Sequence, residues 1–116
     1  MNKRKLGKDS EEMAVKYLDE KGYRILAVNF QNRIAEIDII AQQGDIMCFI
    51  EVKARRSMKY GLPREAITPS KIRKIIKGAQ SYINYKGIRN TQFRFDVIEI
   101  FLQDNKINHI ENAFSA

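Results

Sequence analysis

The chain has 116 residues, a formal net charge of +7, and 44% hydrophobic and 30% charged residues. That length suits one compact domain with its own core, and that balance excludes a disordered chain. Its one cysteine, Cys48, excludes an internal disulfide framework, fits a reducing compartment, and within "IMCFI" reads as a buried, inert thiol.

The charged opening, "MNKRKLGKDSEE", lacks the apolar stretch of a secretory signal, and no apolar run reaches the ~20 residues of a bilayer span. A cytoplasmic protein with no membrane partner is the expectation. Residues 1–8 read as a flexible basic arm before a single domain over 9–116. Asp9 followed by Glu12 resembles a capping box; Ala14, Tyr17 and Leu18 share a helix face, and Gly22 is placed to end it. Glu11 lies three residues before Ala14, on the apolar side, an unusual place for an acid. A role limited to favouring the helix dipole is the plain alternative.

Strands are predicted over 23–30 and 36–42, with "QNRIA" as the turn between them. After a hairpin turn at 43–45, "IMCFIEVK" (46–53) forms a third. An irregular basic stretch, 54–65, follows. Thr68 and Pro69 start a helix over 68–86, with Ile72, Ile75, Ile76, Ala79 and Ile83 as its apolar stripe and Arg73, Lys74 and Lys77 facing away. Strands over 92–101 and 106–112 complete the chain. The first three strands can meander antiparallel, and the second helix can serve as crossover to a parallel fourth.

Between Val52 and Phe95 stand twelve Lys or Arg against one acid, Glu65. Such asymmetry suggests a polyanionic partner, nucleic acid above all, with a merely solvated basic face as the alternative. Tyr60 and Tyr82 could stack on bases or pack, and His109 reads as a lone surface residue.

"FIEVKARR" (49–56) sets Glu51 and Lys53 into an apolar strand, neighbours on one face about 7 Å apart. Glu36 and Asp38 obey the same alternation on the adjoining strand, so the hairpin can gather all four, with Ile37, Ile39, Ile50 and Val52 on the opposite face. Unpaired charges there would cost several kcal/mol, on the order of the usual desolvation penalty. Carboxylates without histidine or cysteine nearby favour a hard cation, Mg2+ first, bound by one or two carboxylates and a backbone carbonyl. A lysine beside such an ion can steer the attacking water, and phosphodiester hydrolysis is the chemistry that needs this set. A plain Glu51–Lys53 ion pair on a half-exposed strand fits the spacing equally.

"GKDSEEMAVKYLDEKGYRIL", "AEIDIIA" (35–41), "FIEVKARR", "PSKIRKIIKGAQSYI" and "RFDVIEI" (94–100), in that order, resemble the YraN-like family of small bacterial candidate endonucleases. That family is similar to the Holliday-junction resolvases and to the restriction-endonuclease-like PD-(D/E)xK superfamily. The resemblance implies an α/β fold with an αβββαβ core, a mixed four- to five-stranded sheet flanked by helices. It implies Asp38 as the motif aspartate, Glu51 and Lys53 as its E-x-K pair, Glu11 as the glutamate on the first helix, and Glu36 as an additional acid. Ala35 and Ser10 replace frequent glycines, and Gln31 replaces a frequent arginine.

Together these readings give a Mg2+-dependent nuclease (Mn2+ substituting) acting on DNA, with branched DNA as a candidate substrate. Asp38, Glu51 and the Val52 carbonyl would hold the ion, Lys53 would position water, and Glu11 would assist through the ion's bound waters. Arg55, Arg56, Lys71, Arg73, Lys74 and Lys77 would contact nucleic acid. A resolvase would need a homodimer, and no stretch marks an interface. The rivals are a nucleic-acid-binding module on a nuclease fold that does not cut, and an interaction protein with no nucleic-acid role.

Overall fold

Apolar residues at alternating strand positions, and on one stripe of each helix, leave two faces of a sheet to be covered. A computed structural model describes residues 3–55 and 67–115, with side chains from residue 8 onward. Arg56, Tyr60 and the basic stretch beyond Arg55 lie outside the described residues. The elements run α1 (Lys3–Glu20), β1 (Arg24–Gln31), β2 (Glu36–Gln43), β3 (Ile46–Arg55), α2 (Pro69–Lys86), β4 (Gln92–Phe101) and β5 (Lys106–Phe114). They form the expected α/β arrangement, a five-stranded mixed sheet in the order β1-β2-β3-β4-β5. β1–β2, β2–β3 and β4–β5 pair antiparallel, and α2 carries the chain to a parallel β4.

The helix ends follow from local chemistry. Gly22, at φ +89°, closes α1, and the Tyr23 N–H donates to the Leu18 carbonyl at 2.9 Å. The start of α1 differs from expectation. The backbone is helical from Lys3, so residues 3–8 belong to the helix and Asp9 lies inside it. Lys and Leu sustain a helix well, and the one glycine there weakens it without breaking it. Thr68 caps α2 by accepting the Lys71 N–H, Pro69 opens its first turn, and Gly87 ends it in the left-handed region.

On the α1 side Ala14, Leu18, Tyr23, Ile39, Ala41, Cys48, Ile50, Ile98 and Ile100 form one core cluster. On the α2 side Ile40, Met47, Phe49, Ile75, Ala79, Tyr82 and Phe95 form the other. Tyr82 is buried, edge-on to Phe30 and Phe49, which settles it as packing. Ile37 corrects the expected alternation, since it joins the α2 side with Ile40 rather than the face of Ile39. Next to its β1 partner Phe30, Asn29 adopts φ 54°, a kink that breaks strict period-two alternation.

His109 is a second correction. Its side chain is 7% exposed, with Nε2 2.7 Å from Asp96 Oδ2 and Nδ1 3.1 Å from the Tyr17 hydroxyl. Arg94 grips Asp96 through two nitrogens at 2.8 and 2.9 Å, and the Asn112 N–H adds a third donor. Burial opposes the Asp96 charge, but His109, Arg94 and Asn112 outweigh it and hold the carboxyl below its ordinary range. Asp96→Asn should therefore cost about 3 kcal/mol by removing the carboxylate that Arg94 and His109 share, leaving Arg94 only the longer pairing with Glu111, as read from urea unfolding. Because the folded pKa is depressed, this contribution is present above the unfolded value of 3.8 and lost as pH falls through the folded one.

The β1–β2 turn is pinned to α2. Asn32 Oδ1 accepts from the Ile34 and Ala35 N–H groups at 2.9 Å, and Asn32 Nδ2 donates to the Gly78 carbonyl at 3.2 Å. A Cβ on Gly78 would stand 2.8 Å from that of Ala35. Ala35 is not among the residues at positive φ, so its replacing a glycine imposes no strain there. Gly78→Ala should lower stability by about 1–3 kcal/mol in urea unfolding. Combined with Ala35→Gly the loss should vanish, exposing the usual helical gain of about 1 kcal/mol from alanine.

Candidate active site

The β2–β3 ladder runs from the hairpin at Gly44–Asp45 only as far as Ile39↔Ile50. Beyond that point residues 36–37 pair with β1 alone, and residues 51–55 with β4 alone. Asp38 fills the opening, its Oδ2 accepting the Val52 N–H at 2.8 Å in place of a backbone partner. The alternation of the ladder turns the Val52 carbonyl toward the same gap.

Glu51 sits beside Asp38, within hydrogen-bond reach. It is buried, with Oε2 3.4 Å from Lys71 Nζ and Oε1 without a hydrogen-bond partner. Burial, then the Asp38 charge, push its carboxyl up to about 8, against the pull of Lys71. Lys53 follows on the same face. Burial and the neighbouring Lys71 hold its ammonium below the ordinary range, against the attraction of Glu51 and Asp38. Burial works against the Lys71 charge too, but Glu51, Lys53 and Asp38 outweigh it and raise its pKa.

Glu11 approaches from α1. Burial and the Asp38 charge raise its pKa, while a hydrogen bond with Asn29 opposes them. It lines a groove of about 600 Å³ between α1 and β1, not the cleft that Asp38 and Glu51 line. That cleft, about 520 Å³, lies between the β1–β2 turn and the start of α2. Glu36, Asp38 and Glu51 line it together with the cations Arg33, Lys71 and Lys74. Glu36 is exposed at its edge, and Arg73, Lys74 and Lys77 are exposed on α2. Cys48 lies outside the cleft, its thiol pushed up to about 11 by burial, so it stays protonated.

The structure thus brings Asp38, Glu51 and Lys53 together and sets Glu11 behind Asp38. Among the described residues, no three His, Cys, Asp or Glu side chains gather closely enough to hold a metal between them. The donor set that remains is two carboxylates and the Val52 carbonyl. Its all-oxygen chemistry, and the buried Glu51 Oε1 without a partner, fit Mg2+, which keeps several waters of its own. Sequence reading gave Lys71 only as a nucleic-acid contact, whereas the structure turns it to Glu51. It also passed over Arg33, and over Glu99, which is fully buried on β4 beside Lys53 in the β3–β4 register. Glu99 offered the same signal as Glu51, an acid in an apolar strand.

The raised Glu51 pKa has a consequence for stability. The protonated form is favoured in the fold, so its contribution is complete below 4.5 and is lost as pH rises through about 8. In metal-free buffer, chemical unfolding should show this decline, on the order of a few kcal/mol, and Glu51→Gln should flatten it.

Known proteins resemble this chain over most of its length. The family model described as "Uncharacterised protein family UPF0102" matches residues 10–100. A UPF0102 protein of Clostridium beijerinckii is 50% identical over 113 residues, covering 94% of this chain and 92% of the relative. One of Persephonella marina is 48% identical over 93% and 91%, and one of Clostridioides difficile 46% over 98% and 100%. No helix among the described residues is long and apolar enough to cross a membrane. The chain therefore belongs to the uncharacterised protein family UPF0102.

Proposed function

We propose that this protein is a Mg2+-dependent nuclease that hydrolyses phosphodiester bonds in DNA, branched DNA included. The observation that carries the reading is the opening between β2 and β3, where Asp38, the Val52 carbonyl and the half-satisfied Glu51 face one another beside Lys53. In water two such carboxylates would be unremarkable; with Glu51 buried against the half-buried Asp38, they need a shared proton or a cation.

Asp38, Glu51 and the Val52 carbonyl would hold the ion, with Mn2+ able to replace Mg2+. When bound, the ion supplies Lewis acidity to the phosphoryl oxygen and offsets charge on the leaving oxygen. Lys53, its ammonium deprotonated more readily than usual, orients the attacking water and in its neutral form takes that water's proton. The water oxygen bonds to phosphorus, the bond to the leaving nucleoside oxygen breaks, and that oxygen takes a proton from solvent. Glu11 keeps negative charge behind Asp38 and sharpens the local demand for a cation. Arg33, Lys74, Arg73 and Lys77 supply the charge that holds the nucleic-acid backbone, with Arg55 and Arg56 assigned to the same task from sequence. A homodimer would set two such sites on one junction.

The absence of a third ligating side chain among the described residues favours a second reading, a nucleic-acid-binding module that does not cut. A cleavage screen over nicked, flapped and four-way-junction DNA with Mn2+ separates the two. The nuclease reading expects metal-dependent cleavage that drops about 100-fold or more in Lys53→Met, with DNA affinity kept within a few-fold. Asp38→Ala should lose Mn2+ uptake in calorimetry. Tight, salt-dependent DNA binding with no cleavage of any substrate would favour the second reading.

A further inference from the structure

The two oxygens of Glu51 meet different fates. Oε2 lies 3.4 Å from the Lys71 ammonium, while Oε1 has no hydrogen-bond partner although the side chain is only 4% exposed. Buried carboxylates ordinarily have both oxygens satisfied. Lys71 reaches Glu51 from the first turn of α2, where the Thr68 hydroxyl fixes its backbone N–H at 3.2 Å. Its base is anchored, but the side chain is 43% exposed and lines the cleft beside Lys74 and Arg33. A lysine is a point charge on a flexible stem, without the fixed fork that would lock an arginine to a carboxylate.

We infer that Lys71 is a displaceable counter-ion. It holds Glu51 in the metal-free protein, a divalent cation takes its place there, and the released ammonium binds the phosphodiester. The inference rests on the nuclease reading above. Asp38 cannot be the group that is freed, because Val52 already engages its Oδ2 at 2.8 Å. An ammonium and a divalent ion on one buried carboxylate repel far more strongly than they would in bulk water. The outward path for Lys71 leads to the mouth of the cleft, where the other cations stand. Metal uptake and capture of nucleic acid then reinforce each other, since each draws Lys71 away from Glu51.

The test is a calorimetric titration of the full chain with Mn2+, without nucleic acid, in the wild type, Lys71→Met and Lys71→Arg. Affinities are compared near neutrality after correction for the protons each variant releases on Mn2+ uptake, read from titrations in buffers of different ionisation enthalpy. Lys71→Met should bind Mn2+ about tenfold more tightly than the wild type, and Lys71→Arg should not. Equal or weaker binding by Lys71→Met overturns the displacement and leaves the metal site standing. Failure of all three to take up Mn2+ removes the nuclease reading and the inference with it. Crystals of the wild type soaked in Mn2+ give a check independent of any variant. Lys71 Nζ should lie beyond ion-pair distance of Glu51, and an intact contact with Mn2+ bound overturns the proposal.

Discussion

The parting of β2 from β3 after Ile39↔Ile50 is the constraint on which the rest depends. A continued ladder would use the Val52 peptide for sheet hydrogen bonds and cover the space with side chains. Because it stops, a backbone amide is left over and Asp38 must satisfy it. That hydrogen bond fixes one carboxylate beside a second, Glu51, which β3 holds in place through its parallel pairing with β4. The sheet provides rigidity on one side of β3 and an opening on the other. Both are needed to hold two acids close together in a partly dry place.

The two buried charge clusters differ in how they are satisfied. On the α1 side, Asp96 receives Arg94, His109 and a backbone amide, so its charge is stabilised and its pKa is low. On the α2 side, Glu51 has one ammonium and one idle oxygen, and its pKa is high. The first arrangement is complete and ties β4 and β5 to α1 through Tyr17. The second is incomplete and opens to the cleft. An incomplete charged site costs stability, and a fold that retains one gains by binding something there.

Much of this was legible in the chain. The strand order follows from the hairpin at Gly44 and from a helix long enough to carry a parallel crossover, and Glu51 stood out as an acid between Ile50 and Val52. Three features were hidden for physical reasons. The β2–β3 ladder stops at Ile39↔Ile50 and β1 carries a kink at Asn29, neither of which an alternation rule anticipates, so Ile37 was assigned to the wrong face. His109 was read as exposed because its burial depends on the β4–β5 register, which sets it opposite Ile98 and under Tyr17. Lys71 lies at the border between the apolar stripe and the basic face of α2. Helical spacing alone cannot say to which side such a residue turns.

The direction Lys71 takes is decided two turns away. Gly78 lies seven residues further along α2, about 10 Å by the helical rise, where the helix touches the β1–β2 turn. The near contact with Ala35 and the Asn32 hydrogen bond to the Gly78 carbonyl leave α2 little freedom to slide or tilt. With that point fixed and Thr68 setting the start of the helix, the stem of Lys71 emerges over β3 at Glu51 rather than toward solvent. The same turn leads directly into Glu36 and Asp38. One packing contact between a helix and a turn therefore places both the acids of the site and the cation that meets them. A shift there would alter the site without touching any residue that lines its floor.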